Sequence, residues 1–543
     1  MIYLGGEKMK RKLVSVLLVA SMAASALVGC GSSSSGGGQT TGAVSADGVT
    51  TTSYGEYTKD DPYHLVFEYI EFYEQDDAAR TAVQDALNDY MIENYQIEVE
   101  FLPVSYADYQ TTTQLMLSGG DELDVIPIFY SYAPSWVNMG GIYDMTELLN
   151  TDDGAKIIEA LGSEETAKVG SVNGVLFGFP ANKESVELGG LCMRADICDE
   201  LGLTEKYNLD AENSDTYTGK SIRWDEAEEI FAAVKEAYPN MYPLYLYNSS
   251  QYNRFTEFDT LVDSFGVIDL SEDRENTTVV NMFETEQYKE YVTMIADWYD
   301  KGYIYPDAAT DTQGTATMMK AGNTFSYATA IKPGFLAEAN SANGCECYCL
   351  YINPSDDGYL STTNISFFDT GIANNSKDPE MAFKFISALY SDPTVYNLWQ
   401  YGIEGVNYQV LDDGTAYFVD GEDGSNYAYH QNSGWCLGNQ FQSYVWNDGT
   451  KTADYWDLLK SHNDWAYYPA TYGFMWDSSD YSTEVTALTN AYETYRATLE
   501  TGSEGSAKVQ ETLDALNEAL YAAGLEDVMA AKQEQLDEWL ATQ

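Results

Sequence analysis

"YHLVFEYIEFYEQDDAARTAVQDALNDYMIENYQIEVEFLPV", residues 63–104, changes its hydrophobic period twice, and that change decides the fold class. "YHLVFEYI" (63–70) is a short apolar and aromatic run with the length and composition of a strand. After Asp76 and Asp77, which suit the cap of a helix, the apolar residues fall at Ala79, Val83, Ala86, Leu87, Tyr90 and Met91. That is the one-sided stripe of an amphipathic helix. "IEVEFLPV" (97–104) returns to a strand pattern. "YADYQTTTQLML" (106–117) and "LDVIPIFY" (123–130) repeat the helix and the strand. Alternation of this kind predicts a parallel sheet with right-handed crossovers. An open sheet of that type meets its ligands beyond the carboxyl ends of the strands. Tyr73 follows the first strand, Tyr130 ends the third and Trp136 lies in the loop just after it, so all three are candidate ligand contacts.

Downstream a second α/β region is expected. "WDEAEEIFAAVKEAYP" (224–239) carries Ala227, Ile230, Phe231 and Val234 on one helical face and leads into a strand, "MYPLYLY" (241–247). "TEQYKEYVTMIADWYDKGYI" (285–304) reads as a long helix, and "NTFSYATA" (323–330) and "NISFFDTGIA" (364–373) as short strands. "SKDPEMAFKFISALYSDP" (376–393) is a helix with Asp378 as N-cap and Pro379 at its first position. From about Tyr401 the chain becomes rich in Tyr, Trp and Asn. It closes on two helical segments, "EVTALTNAYETYRATLE" (484–500) and "AKVQETLDALNEALYAAGLEDVMAAKQEQLDEWLA" (507–541). No repeat of 20 to 50 residues is present.

Upstream the chain has a different character. Lys8, Lys10, Arg11 and Lys12 form a basic head, and Leu13 to Gly29 follow without a charge. Basic head, apolar middle and small residues at the end are the parts of a secretory signal. "LVGC" (27–30) resembles the lipobox of bacterial lipoproteins. The resemblance implies cleavage before Cys30 and diacylglycerol, with palmitate-type acyl chains, on its thiol; two chains suffice for stable anchoring at a bilayer. The Ser/Gly string after Cys30 reads as a flexible tether. The expected organisation is a leader at 1–29, lipidated Cys30 and tether at 30–55, a two-lobe body at 56–400 and a C-terminal module at 401–543 packing on the lobes.

Removal of residues 1–29 takes away four basic side chains and one acidic one, leaving 23 basic against 85 acidic and a formal charge of −62. A chain so acidic repels nucleic acid, anionic lipid and polyanionic ligands. Its acid is dispersed rather than blocked, and 45 Tyr, 20 Phe and 10 Trp speak for a packed protein. Six cysteines follow Cys30, and "CECYC" (345–349) alternates, so on a strand its thiols share a face. No CxxC pair or adjacent His completes a zinc set, which favours a buried strand over a metal site. Disulfides suit an exported protein, but the sequence does not pair them. HExxH, GxSxG, Walker and GxGxxG motifs are absent. The three histidines, His64, His430 and His462, have no metal spacing. The residues therefore assign no cofactor, no metal and no catalytic group, although a glycosidase carboxylate pair is not excluded by counting.

The positive signal is aromatic. Sugars present apolar C–H faces and a rim of hydroxyls, which flat rings and the polar groups of Asn, Gln, Asp and Glu match. That mixture recurs in "EFYEQDD" (71–77), "FYSYAPSW" (129–136), "YHQNSGWCLGNQF" (429–441) and "HNDWAYYPATYGFMWD" (462–477). In "WCLGNQF" a ring at Trp435 stands four residues from the amide of Asn439, beside glycines that would let a ligand approach the backbone. A rival reading makes Trp435 a brace of the C-terminal module against the second lobe and Asn439 a turn cap.

With these residues in view, the chain resembles the lipid-anchored extracellular solute-binding proteins of bacterial carbohydrate ABC importers. The motifs that carry the resemblance are the lipobox, "VNGVLFGFP" (172–180) before "MRADICDELGL" (193–203), "WDEAEEIFAAVKE" (224–236), "ADWYDKGYIYPDAAT" (296–310) and "GIANNSKDPEMAFKFISALY" (371–390). The end of the chain looks like a C-terminal module of uncharacterised function found on a subset of these lipoproteins. It is matched by "NLWQYGIEGVNYQV" (397–410), "WCLGNQF" (435–441), the "YGFMWD" to "STEV" stretch (472–485) and "LYAAGLEDVMAAKQEQLDEWLA" (520–541). Trp476 stands where a Phe is usual in that module. The resemblance implies a periplasmic-binding-protein-like α/β fold of two hinged lobes with an added, mostly helical C-terminal region. It further implies a monomer on the outer face of the cell membrane that captures an oligosaccharide and docks on ABC permease subunits, without catalysis. A same-fold receptor for a peptide or other solute is the second reading, and an extracellular glycan-active enzyme the third.

Overall fold

The computed structural model describes residues 56–543 except 187, 212–213, 215–220, 353–359, 448–450 and 465. The leader, Cys30 and the tether up to residue 55 lie outside the described residues. The first lobe begins as the periodicity predicts: β1 (Tyr63–Glu71), α1 (Asp77–Tyr95), β2 (Ile97–Ser105), α2 (Tyr109–Gly119) and β3 (Val125–Phe129). The Asp76 carboxylate accepts from the amides of Ala78 and Ala79 at 3.0 Å and starts α1. Val83, Leu87 and Met91 bury one face, and Gln96, at φ 59°, ends the helix in the left-handed conformation. The turn into β2 is therefore tight, and β1 and β2 run parallel from Tyr63↔Ile97 to Glu71↔Ser105.

The sheet is mixed rather than wholly parallel. Its order is β2, β1, β3, then Phe368–Ile372 and Phe179–Pro180, and those last two strands join antiparallel. The chain leaves the lobe after Pro180 and returns at Phe368, so the return strand enters from the opposite direction. Helix Pro379–Ser391 is capped by Asp378, whose carboxylate accepts from Met381 N at 3.2 Å. It covers the sheet with its buried face.

The second lobe lies between those crossings. Its sheet orders as Cys347–Tyr351, Leu188–Arg194, Thr324–Ile331 and Tyr242–Tyr245. Helices Trp224–Ala237 and Glu286–Asp300 supply Ile230, Phe231, Val234, Val292, Ile295 and Trp298 to its core. A small antiparallel sheet, Phe258–Asp259, Val267–Asp269 and Val279–Val280, packs at its side. Cys347 and Cys349 sit buried on their strand with Cys345 just before it, and the six described cysteines are free thiols.

The chain beyond Tyr401 adds to both large cores and forms two small clusters of its own, around Tyr408 and around Tyr455. Tyr429, Cys436 and Leu437 join the first, with Val395 and Trp399. Helices Ser482–Thr501, Val509–Ala522 and Leu525–Leu540 join the second. The closing segment expected as one helix is two. Gly524, at φ 100°, breaks it, because a residue in that region cannot continue a right-handed helix. Gly502, at φ 67°, ends the preceding helix against helix Glu286–Asp300. A Cβ there would lie 2.6 Å from the Ile295 carbonyl oxygen. No helix among the described residues is long and apolar enough to cross a membrane.

Candidate ligand cleft

The carboxyl ends of β1, β2 and β3 each carry a ring into one row. Tyr106 stacks on Phe72 at 5.6 Å between centroids, and Phe72 lies 5.0 Å from Trp435. Trp435 meets Phe368 edge-on at 5.6 Å, and Phe368 lies 5.1 Å from Phe129. Tyr130 and Phe367 flank Phe129 at 4.6 and 5.0 Å. Tyr106 (59 % exposed), Tyr73 (51 %) and Phe367 (37 %) are among the large apolar side chains the protein leaves open to solvent. Exposed rings converging on one edge of a sheet mark a surface built to be covered.

Trp435 reaches this row through a clip on the loop after β1. The Gln75 amide accepts from His430 N at 2.7 Å and donates to the His430 carbonyl at 3.1 Å, and Asp76 N donates to the Ala428 carbonyl at 3.2 Å. The segment 428–435 is thereby laid over the β1–α1 loop. His430 is buried and stacks on Trp446 at 4.1 Å, and burial pushes its pKa down to about 3, so it is a neutral plate at physiological pH.

Beyond Trp435 the floor is charged. Glu184, on the first crossing segment, is ion-paired to Lys332 and accepts from Gln440 Nε2 at 2.6 Å. Burial opposes its ionisation, but Lys332 and Lys183 outweigh burial and hold its carboxyl down at about 2. Two connected pockets share Glu184, Lys332 and Trp435. One, of about 280 Å³, is also lined by Tyr73, His430 and Trp446; the other, of about 270 Å³, by Lys183, Asn364 and Phe367. Asn463 fixes this crossing, accepting from Ser185 N and donating to the Lys183 carbonyl, both at 2.8 Å. Rings on one side and a paired, fully bonded charge set on the other make a cleft suited to a ligand with apolar faces and many hydroxyls.

A family model described as bacterial extracellular solute-binding protein matches residues 85–417, more than half of the chain. The chain belongs to that family. A second model, a domain of unknown function (DUF3502), matches residues 470–541. The chain is similar to a carbohydrate ABC transporter substrate-binding protein of Streptococcus pneumoniae serotype 4. The two are 22% identical over 453 residues, covering 82% of this chain and 84% of the relative. It shares its fold with the N-glycan transport solute binding protein NgtS from Streptococcus pneumoniae. That match has a TM-score of 0.70 and 21% identity over 88% of this chain and 99% of that one. An HMO-binding solute-binding protein of an ABC transporter from Bifidobacterium longum infantis ATCC 15697 matches with a TM-score of 0.60 and 15% identity, over 88% and 99%.

In this solute-binding protein the residues singled out by sequence part company. Tyr73 and Trp435 line the first pocket. Tyr130 flanks the ring row, half-buried, and its phenol is pushed up to about 12 by burial and then by the nearby Asp263 of the second lobe. Trp136 is corrected: it is 1 % exposed, on a short helix α3 (Ala133–Asn138) that turns it inward against Tyr109 at 5.8 Å. Asn439 is also corrected. Its side-chain Oδ1 accepts from Phe441 N and its side-chain Nδ2 donates to the Tyr390 carbonyl, each at 3.1 Å, so it caps a turn. The neighbouring glycines serve packing: a Cβ on Gly438 would lie 2.8 Å from the Leu389 carbonyl, and one on Gly434 2.9 Å from the Tyr396 hydroxyl. Trp435 packs on Phe72 and Phe368 of the first lobe, not on the second. Tyr106 was open to the same strand-end argument as Tyr73 and was missed. Phe367, Glu184 and Lys332 give no local signal, because only the crossings bring them to the cleft.

Proposed function

We propose that this protein captures a neutral oligosaccharide between its two lobes and delivers it to ABC permease subunits, catalysing nothing itself. The observation that carries this is the ring row from Tyr106 through Phe72, Trp435 and Phe368 to Phe129 at the carboxyl edge of the first sheet. The open Tyr106 and the half-buried Phe72, Trp435 and Phe129 offer sugar units apolar faces, backed by the buried Phe368, and the names of the relatives support a carbohydrate. Tyr73, Tyr130 and Trp435 are the contacts put forward. The chain works as a monomer, held by lipid on Cys30 to the outer face of the cell membrane. Its mechanism is differential binding: ligand that touches both lobes only when they close shifts the population toward closure.

Titration calorimetry against a panel of neutral and acidic glycans tests the reading. Tight binding of a neutral oligosaccharide, insensitive to salt and without turnover, is expected, because no long-range charge attraction is present for salt to screen. Tight binding of a polyanionic glycan that weakens steeply with salt, or hydrolysis of the ligand, overturns it.

A further inference from the structure

The loop 259–266 of the second lobe reaches the first lobe. Val262 packs against both lobe cores, and Asp263 acts on the Tyr130 phenol. The loop is strained. Leu261 stands at φ 49° and Val262 at φ 96°, a conformation that a β-branched residue rarely adopts. Such backbone persists only where its surroundings over-determine it.

Here the surroundings come from the C-terminal helical module. The Thr471 hydroxyl donates to Asp259, which is fully buried. Trp476 Nε1 donates to Asp263 Oδ2 at 3.1 Å, a bond that a phenylalanine at this position could not make. Lys532, fully buried on helix Leu525–Leu540, donates to Asp263 Oδ1 at 2.8 Å and to the Gly266 carbonyl at 2.9 Å. Gly266, at φ 94°, lies so close under that helix that a Cβ would come within 3.1 Å of Met529 Cγ. The same module reaches the first lobe. Asp477 accepts from Asn138 Nδ2 at 2.8 Å and Asn173 Nδ2 at 2.6 Å, and Met475 sits in the first core between Phe474 and Trp476 of the second.

We propose that the module of unknown function pins the interlobe loop 259–266 against the first lobe and so ties the two lobes, with Trp476 and Lys532 as positioning residues that set ligand affinity without touching the ligand. The affinity part rests on the carbohydrate reading above; the pinning part does not.

The test uses the full mature chain as Trp476→Phe and, separately, as Lys532→Met, which keeps an unbranched four-atom stem and removes the ammonium. Hydrogen exchange is read in the absence of ligand, and affinity is read with a panel of neutral oligosaccharides. Each variant should exchange the amides of 261–266 at least ten times faster while strand Thr324–Ile331 stays protected. Kd should rise about tenfold through a faster off-rate, read below the melting temperature of each variant. Unchanged exchange across the loop in both variants overturns the proposal, and faster exchange with unchanged affinity overturns the role in binding. If the wild type binds no member of the panel, the carbohydrate reading fails, and the exchange result alone decides the pinning.

Discussion

Replacement of Trp435 by alanine separates a ligand platform from a structural brace. The indole is half-buried, with Phe72 at 5.0 Å on one side and Phe368 at 5.6 Å on the other, and it lines both pockets. Losing two ring pairs costs about 0.5–1.5 kcal/mol each beyond the buried area. A fully buried Trp would cost about 3–5 kcal/mol, so a half-buried one should fall below that, at about 2 kcal/mol. In a lobe of about 200 residues this lowers the melting temperature by about 4–8 °C. As a stacking platform the ring should also contribute about 1–3 kcal/mol to affinity, by analogy with rings stacked on bases. That is a rise in Kd of about five- to 150-fold, readable by calorimetry with the oligosaccharide that binds the wild type. Trp435→Phe should recover part of both. A fall in melting temperature with unchanged Kd would remove Trp435 from the site and refute the argument from the ring row.

Trp136→Ala should behave in the opposite sense. It should lose about 3–5 kcal/mol of stability by opening a cavity beside Tyr109, with Kd unchanged wherever the variant is folded, as calorimetry below its melting temperature would show. Cys30→Ser should release the protein into the medium or leave an uncleaved precursor; membrane fractionation and migration like the wild type would contradict the anchor. His430, its pKa lowered to about 3 by burial, gives a pH dependence of fixed sign. The unfolded chain takes up the proton below about pH 6.5 and the folded protein does not, so stability is lost as pH falls from 6.5 towards 3. Between pH 6.5 and 5 this costs about 2 kcal/mol, which His430→Gln should abolish in denaturant titrations at the two pH values.

The first lobe was legible because its order is local. The Val83–Leu87–Met91 stripe, the Asp76 cap and the change of period on either side are properties of consecutive residues, and they place β1, α1, β2, α2 and β3 to within three residues. The capping of helix Pro379–Ser391 by Asp378 is equally local. So was the rule that ligands meet the carboxyl ends of parallel strands, which led to Tyr73 and Tyr130. It should have led to Tyr106 as well. Tertiary structure decided the rest. Whether Trp136 faces cleft or core depends on the turn of a six-residue helix against Tyr109, which strand-end position does not encode. Whether "WCLGNQF" offers its amide or its ring depends on Tyr390, 49 residues away from Asn439. Glu184 and Lys332 are paired across 148 residues, and Asp263 meets Lys532 across 269. Side-chain period reports which face of an element is buried, but the partner that buries it is chosen by crossings and by packing volume, and no window of consecutive residues contains those.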